Sequence, residues 1–223
     1  MSPLLSARDV HVHLRAEDRI VRAVNGVSIE VRAGECVGII GESGSGKSTL
    51  GRAITRLLPE VELTRLSGEV TFAGQDVAQM SEARLRQFRR SGAFSMVFQD
   101  PLSHLNPTRR IGAQIAEAMP VGLDHRASIA RSTELLRSVG LTDAAALLRL
   151  YPHELSGGMR QRVLIAMSLA ASPKMLIADE PTTALDATVQ INVLDTLRRL
   201  NRESHLALLL ITHNLGLVAQ ATR

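Results

Sequence analysis

The nine residues Gly41–Thr49, Gly-Glu-Ser-Gly-Ser-Gly-Lys-Ser-Thr, constrain what this chain can fold into more than any other stretch. The run before them, Glu35–Ile40, contains Cys-Val-Gly-Ile-Ile and predicts a short buried strand. The run after them, Lys47–Leu58, has apolar residues at Leu50, Ala53, Ile54, Leu57 and Leu58, a helical spacing that stops at Pro59. Strand, glycine loop and helix in that order make a phosphate-binding loop. Its glycines let backbone N–H groups close around phosphate oxygens, and the new helix turns its positive end toward them. The candidate phosphate contacts are therefore Gly41, Glu42, Ser43, Gly44, Ser45, Gly46, Lys47, Ser48 and Thr49. Lys47 is expected to reach the β- and γ-phosphates, and the Ser48 hydroxyl to bind Mg²⁺. A chain so built binds a nucleoside triphosphate.

A second apolar run, Met175–Ala178, ends in Asp179-Glu180. An acid at a strand's carboxyl end, facing the phosphate loop, is where such folds hold Mg²⁺. Asp179 takes that role in this reading, and Glu180 is placed to polarise a water for attack on the γ-phosphate. Basic residues supply another signal, because all but two of the 26 are arginine. A chain that uses arginine wherever diffuse charge suffices keeps lysine where a compact ammonium is needed. Lys47 fits that description; Lys174, just before a strand, has no assigned role.

Composition narrows the class. With 45% hydrophobic and 22% charged residues the chain reads as globular, and its length suits one α/β domain. The net charge of +4 invites a nucleic-acid reading, but the charges do not cluster and aromatics are only 2%, which leaves few platforms for bases. Nucleic acid is therefore not an expected partner. No apolar run approaches a membrane span, and no secretion signal opens the chain. The lone Cys36 is compatible with a reducing compartment. A cytoplasmic location follows, with any membrane contact made through a partner. His11 and His13 alternate on a predicted strand without a third ligand, so ordinary strand residues are favoured over a metal pair.

Further motifs carry a resemblance. Leu-Ser-Gly-Gly-Met-Arg-Gln-Arg, Leu155–Arg162, resembles the signature of ABC ATPases. Gln99 in Val-Phe-Gln-Asp-Pro resembles that family's glutamine-loop residue, which shares the metal. Ala184-Leu185-Asp186 resembles the loop that crosses the dimer interface, and His213 resembles the switch histidine. The intervals match the family's: 52 residues from Lys47 to Gln99, then 57 to Ser156, 23 to Asp179 and 34 to His213. The resemblance implies an α/β phosphate-loop cassette with a RecA-like core, an N-terminal antiparallel β-subdomain and a helical subdomain. It implies ATP and Mg²⁺ as ligands, and Glu180, His213 and Gln99 as the catalytic set. It also implies a head-to-tail dimer in which Lys47 of one cassette and Ser156 of the other share one ATP. The local physics agrees: Ser156 is an N-cap residue type, and Gly157 and Gly158 leave the helix start bare for a phosphate.

The expected organisation is a single domain. Residues 1–100 and 172–223 form the β-subdomain and ATPase core, with strands carrying the adenine side up to about residue 34 and the phosphate loop and more strands up to about 98. Residues from about 101 to 171 form the helical subdomain, with helices at Ile111–Ala118, Ser128–Val139 and Thr142–Leu148. The family commonly stacks adenine on an aromatic near the N-terminus. Here Arg19–Val24 offers none, and Val21 or Ile20 is left as a flat apolar contact. Gln99–Pro107, Ile111–Ala118 and the Tyr-Pro-His-Glu run before the signature look like the oligopeptide/dipeptide importer subfamily, which includes nickel importers. That likeness implies two membrane permease subunits and a substrate-binding protein as partners, at the cytoplasmic face of the membrane. A soluble ABC ATPase and a nucleotide-binding module without turnover remain the rival readings. Only ten residues follow His213, so the family's C-terminal strands are expected to be missing.

Overall fold

The computed structural model describes residues 2–17, 19–98, 104–181, 187–214 and 216. Strands β1 (Leu5–Ala16), β2 (Arg19–Val31), β4 (Leu63–Phe72) and β5 (Gln75–Asp76) form an antiparallel sheet in the order β2-β1-β4-β5. Strands β3 (Cys36–Ile40), β6 (Phe94–Val97), β7 (Met175–Asp179) and β8 (Ala207–Thr212) form a second sheet in the order β3-β8-β7-β6. All its pairings are parallel, so each connection must cross over through other elements.

The apolar runs of β7 and β8 explain how the layers assemble. Side chains alternate between faces of a strand. Met175, Ile177, Leu209 and Ile211 pack with the antiparallel sheet and helix α1 (Lys47–Thr55). Leu176, Ala178, Leu208 and Leu210 pack with the helices on the other side. Both faces are covered, which is why these strands read as unbroken apolar runs. The covering helices include α3 (Ile111–Glu117), α4 (His125–Ser138), the short α5 (Ala144–Leu147) and α6 (Gly157–Leu169), which follow one another between β6 and β7, and α7 (Ala187–Ser204).

Several expectations need correction. Helix α1 ends at Thr55 instead of Leu58, because Arg56 turns left-handed at φ 55°, its N–H closing on the Ala53 carbonyl and the Leu57 N–H on that of Arg52. Strand β3 is only half-buried and Ile40 is 41% exposed, since β3 is an outer strand of the described sheet. The region assigned to strands before residue 98 also contains helix α2 (Glu82–Arg90), capped by Ser81, whose side chain accepts from the Arg84 N–H. Only Leu85 and Phe88 of α2 are buried, and Phe88 meets Phe72 and Phe94 edge to face. The helix expected from Ser128 starts at His125, where Asp124 caps it. The helix expected over Thr142–Leu148 shrinks to Ala144–Leu147.

Parallel pairing puts the carboxyl ends of β3, β8, β7 and β6 at one edge. Ile40 lies opposite Thr212, Asp179 opposite Ile211, and Val97 opposite Ala178. The chain leaves this edge into Gly41, Phe98, Glu180 and His213. In open α/β sheets this is the edge where ligands bind.

Candidate functional site

The loop from Gly41 enters α1 through Gly46, whose φ of 92° places it in left-handed space. A Cβ at Gly46 would sit 2.0 Å from the carbonyl oxygen of Ala23, so no other residue fits there. Ala23 is the extra residue of a bulge in β2, where pairing with β1 steps from Val12–Val24 to His13–Arg22. The antiparallel sheet thus backs directly onto the phosphate loop, a contact with no sequence signal. Glu42, Ser43, Gly44 and Ser45 are exposed, and Ser45 N–H closes the turn on the Glu42 carbonyl. Gly44 is left-handed, with open space where its Cβ would be. Lys47 is buried, and its Nζ donates to the Glu42 carbonyl at 2.6 Å. The ammonium is therefore held over the loop's mouth. Thr49 follows Ser48 in the first turn of α1 and is half-buried.

Ser48 and Asp179 lie 131 positions apart in sequence and meet at 2.7 Å, the Ser48 hydroxyl donating to the carboxylate. Burial pushes the Asp179 carboxyl above its ordinary range, against the opposing pull of the Ser48 hydrogen bond and the Arg52 and Lys47 charges. A buried carboxylate beside a hydroxyl is a pair of hard oxygen donors. That suits Mg²⁺, which binds through one or two protein oxygens together with substrate phosphates.

Beyond Asp179, the Glu180 backbone adopts φ 45°, unusual for a residue with a side chain, and is held there by its N–H bond to the Ile211 carbonyl at 2.9 Å. Its carboxylate lies 3.4 Å from Nδ1 of His213. Glu180 is mostly shielded while His213 is 59% exposed, so the histidine forms the solvent-side wall of the pair. The contact brings together two residues that the sequence nominated separately.

Ser156 caps α6 by accepting from the Met159 N–H, and Ser156 and Gly157 are exposed. Gly158 is half-buried, because a Cβ there would meet Val189 of α7 at 2.7 Å. Among the described residues, no hydrogen bond links Ser156 to Lys47 or Ser48. Gln99 and Asp186 lie outside the described residues. Val21 lies opposite Leu14 in the β1–β2 pair and is 37% exposed, while Ile20 lies opposite Arg15 and is 63% exposed. Cross-strand partners share a face. Val21 and Leu14 thus take the face that packs on α1, and Ile20 takes the outer one. His11 bonds to Asp9 and Asn25, and no cluster of three metal-ligating residues occurs among the described residues.

A strand–loop–helix phosphate cradle, with a buried acid at a neighbouring strand end, defines an α/β nucleotide-binding protein of the phosphate-loop class. Residues 24–183 match the ABC transporter family, and the chain belongs to it. It is 45% identical over 220 residues to a dipeptide transport ATP-binding protein of Escherichia coli, covering 98% of this chain and 67% of that one. It is 44% identical over 224 residues to an oligopeptide transport ATP-binding protein of Haemophilus influenzae, covering 98% and 68%. The chain spans about two thirds of the length of the curated relatives it matches, 65% for one from Sinorhizobium fredii. Its fold superposes with a TM-score of 0.83, at 28% identity, on a dimeric ATP-binding cassette in a post-hydrolysis state bound to ADP and Pi, covering 96% of this chain and 90% of that one.

Proposed function

We propose that this chain binds and hydrolyses ATP in a head-to-tail cassette dimer and so energises import of peptides through two permease subunits and a substrate-binding protein. The observation that carries the ATPase reading is the convergence of Lys47, Ser48–Asp179 and Glu180–His213 at one sheet edge. Lys47 neutralises and orients the terminal phosphates, releasing its Glu42 contact to do so. Ser48 and Asp179 would hold Mg²⁺, which would supply positive charge to the transferring phosphate. Glu180 accepts a hydrogen bond from the attacking water and orients it in line. His213, beside the Glu180 carboxylate, fixes that carboxylate's direction and shields it from solvent. The strained Glu180 backbone fits such positioning, since a relaxed strand would continue past the site.

Gln99 and Asp186 enter by family likeness, Gln99 toward the metal and Asp186 toward the partner cassette. The whole chain reads as one cassette domain, its helical part over about 101–171 facing the permeases. No helix among the described residues is long and apolar enough to cross a membrane, and attachment at the cytoplasmic face through permeases supplies that contact. The names of the relatives support peptide as cargo.

The test is Glu180→Gln, measured for phosphate release and nucleotide binding. The variant keeps the size and one acceptor of Glu180, so Mg-ATP binding stays within a few-fold of wild type while turnover falls by at least about 100-fold. Wild-type turnover in the variant removes Glu180 from its role.

A further inference from the structure

Between the phosphate-loop helix and the end of β6 lies a contact that the proposed chemistry does not use. Arg52 sits in the last turn of α1, and its Nε is buried with no hydrogen-bond acceptor among the described residues. Its guanidinium lies over the ring of Phe98, 5.9 Å from the centroid. Phe98 is also stacked with His104, the two rings 4.5 Å apart and 8° from parallel. Phe98 and His104 are the residues on either side of 99–103, so their stack ties the two flanks of that segment to each other. Arg52 ties them in turn to the helix that carries Lys47 and Ser48.

The anchor itself is firm. At Gly51, the residue before Arg52, α1 approaches the sheet so closely that a Cβ would lie 2.9 Å from Ile211 Cδ1 and 3.5 Å from Ile177 and Met96. One turn on, the Thr55 hydroxyl contacts Met96 Sδ at 3.9 Å. Arg52 also lies one helical turn after Ser48 on the same helix. A side chain that served only to coat the surface would leave its Nε in water. Here that atom is buried against an aromatic face, and a planar guanidinium can stack there whereas an ammonium cannot.

We infer that Arg52, Phe98 and His104 form a positioning clamp, which holds the chain on both sides of residues 99–103 against the phosphate-loop helix and so fixes the approach to the Ser48–Asp179 pair. The clamp rests on the reading of that pair as the Mg-ATP site. Its effect is on the metal-dependent part of nucleotide binding, since the loop around Lys47 does not pass through it.

The experiment uses the full chain as wild type, Arg52→Lys, Phe98→Leu, Phe98→Tyr and the Arg52→Lys/Phe98→Leu double variant. The readout is the ATP-induced thermal shift as a function of Mg²⁺ concentration and again in EDTA, with kcat and KM beside it. Arg52→Lys and Phe98→Leu should each raise the Mg²⁺ concentration for half-maximal shift by about fivefold, and the double variant by no more than either alone, because both remove one shared contact. Phe98→Tyr keeps the ring and restores wild-type behaviour. The shift in EDTA stays unchanged, and the loss in turnover appears in kcat with KM for ATP within about twofold at saturating Mg²⁺. The clamp is overturned if the two effects multiply in the double variant, if Phe98→Tyr behaves like Phe98→Leu, or if the EDTA shift falls as far as the Mg²⁺-dependent one. Should Phe98→Leu fail to fold, Arg52→Lys and Arg52→Gln carry the comparison, and an unchanged Mg²⁺ requirement in both is fatal to the clamp. Failure of the underlying reading looks different: wild type itself shows no ATP-induced shift at any Mg²⁺ concentration, and the clamp falls with it.

Discussion

At the scale of single residues, the site depends on which face a side chain takes. The sequence offers Val21 for the adenine contact, with Ile20 beside it. The bulge at Ala23 and the pairing of Val21 with Leu14 turn Val21 toward the face that carries α1, which favours Val21 over Ile20. Val21→Tyr should therefore tighten ATP binding several-fold at most, since about 1 kcal/mol is available from stacking, and Ile20→Tyr should change nothing. Titration calorimetry on both variants checks this, and equal effects would place the base elsewhere. Asp179 offers a second test. Burial disfavours its charge, and asparagine can still accept from the Ser48 hydroxyl without carrying that charge. In EDTA at neutral pH, Asp179→Asn should melt no lower than wild type, yet its stabilisation by ATP should lose its response to Mg²⁺. A large drop in the melting temperature without ligand would show that the carboxylate itself holds the strand ends together.

At the scale of elements, what was legible in the sequence was what periodicity and glycine chemistry encode. The phosphate loop, β7, β8 and the Ser156 cap follow from local pattern, since each is specified within about ten residues. Helix α2 was not legible, because Leu85 and Phe88 are its only buried residues and, Ala83 apart, the rest of its turns are polar or charged. Nor was the left-handed backbone at Glu180, which depends on β8 supplying the Ile211 carbonyl. Contacts between distant elements leave no local signature. Gly158 shows this: its sequence context reads as a bare helix start, but the structure adds that α6 approaches Val189 of α7 at that point. Gly158→Ala would gain up to about 1 kcal/mol of helix propensity and lose about 1–3 kcal/mol to overpacking against a stiff, branched side chain. The net expectation is a melting temperature lower by a few degrees, restored in the Gly158→Ala/Val189→Ala pair. Calorimetric melts of both variants beside wild type decide it, and an unchanged Gly158→Ala melt would mean that the two helices slide apart at no cost.

At the scale of the whole molecule, the proposed site is shared between two chains, and among the described residues no hydrogen bond joins Ser156 to Lys47 or Ser48. Lys47, Ser48, Asp179, Glu180 and His213 gather at the sheet edge, whereas Ser156 is exposed at the start of α6 and bonds to its own helix. A helix N-terminus with an exposed glycine attracts a phosphate, and under the proposed function a second copy bears it. If each ATP is shared, a two-fold dimer pairs Lys47 of either chain with Ser156 of the other. This gives a complementation test. Ser156→Arg blocks one half-site and leaves Lys47 intact, while Lys47→Ala disables the loop and leaves Ser156 intact. In a dimer of either variant alone, both sites would carry a defect. Mixed in equal amounts, about half of the dimers contain one of each chain, and each of those has one intact site and one doubly defective site. ATP-dependent dimerisation, followed by light scattering, should then reappear in the mixture where neither variant alone shows it. Phosphate release should recover to at most about a quarter of wild type if one site can act by itself. If the mixture behaves as the sum of its parts in both assays, while each chain still binds partners in a crosslinking control, the shared site is wrong and each cassette must complete its own.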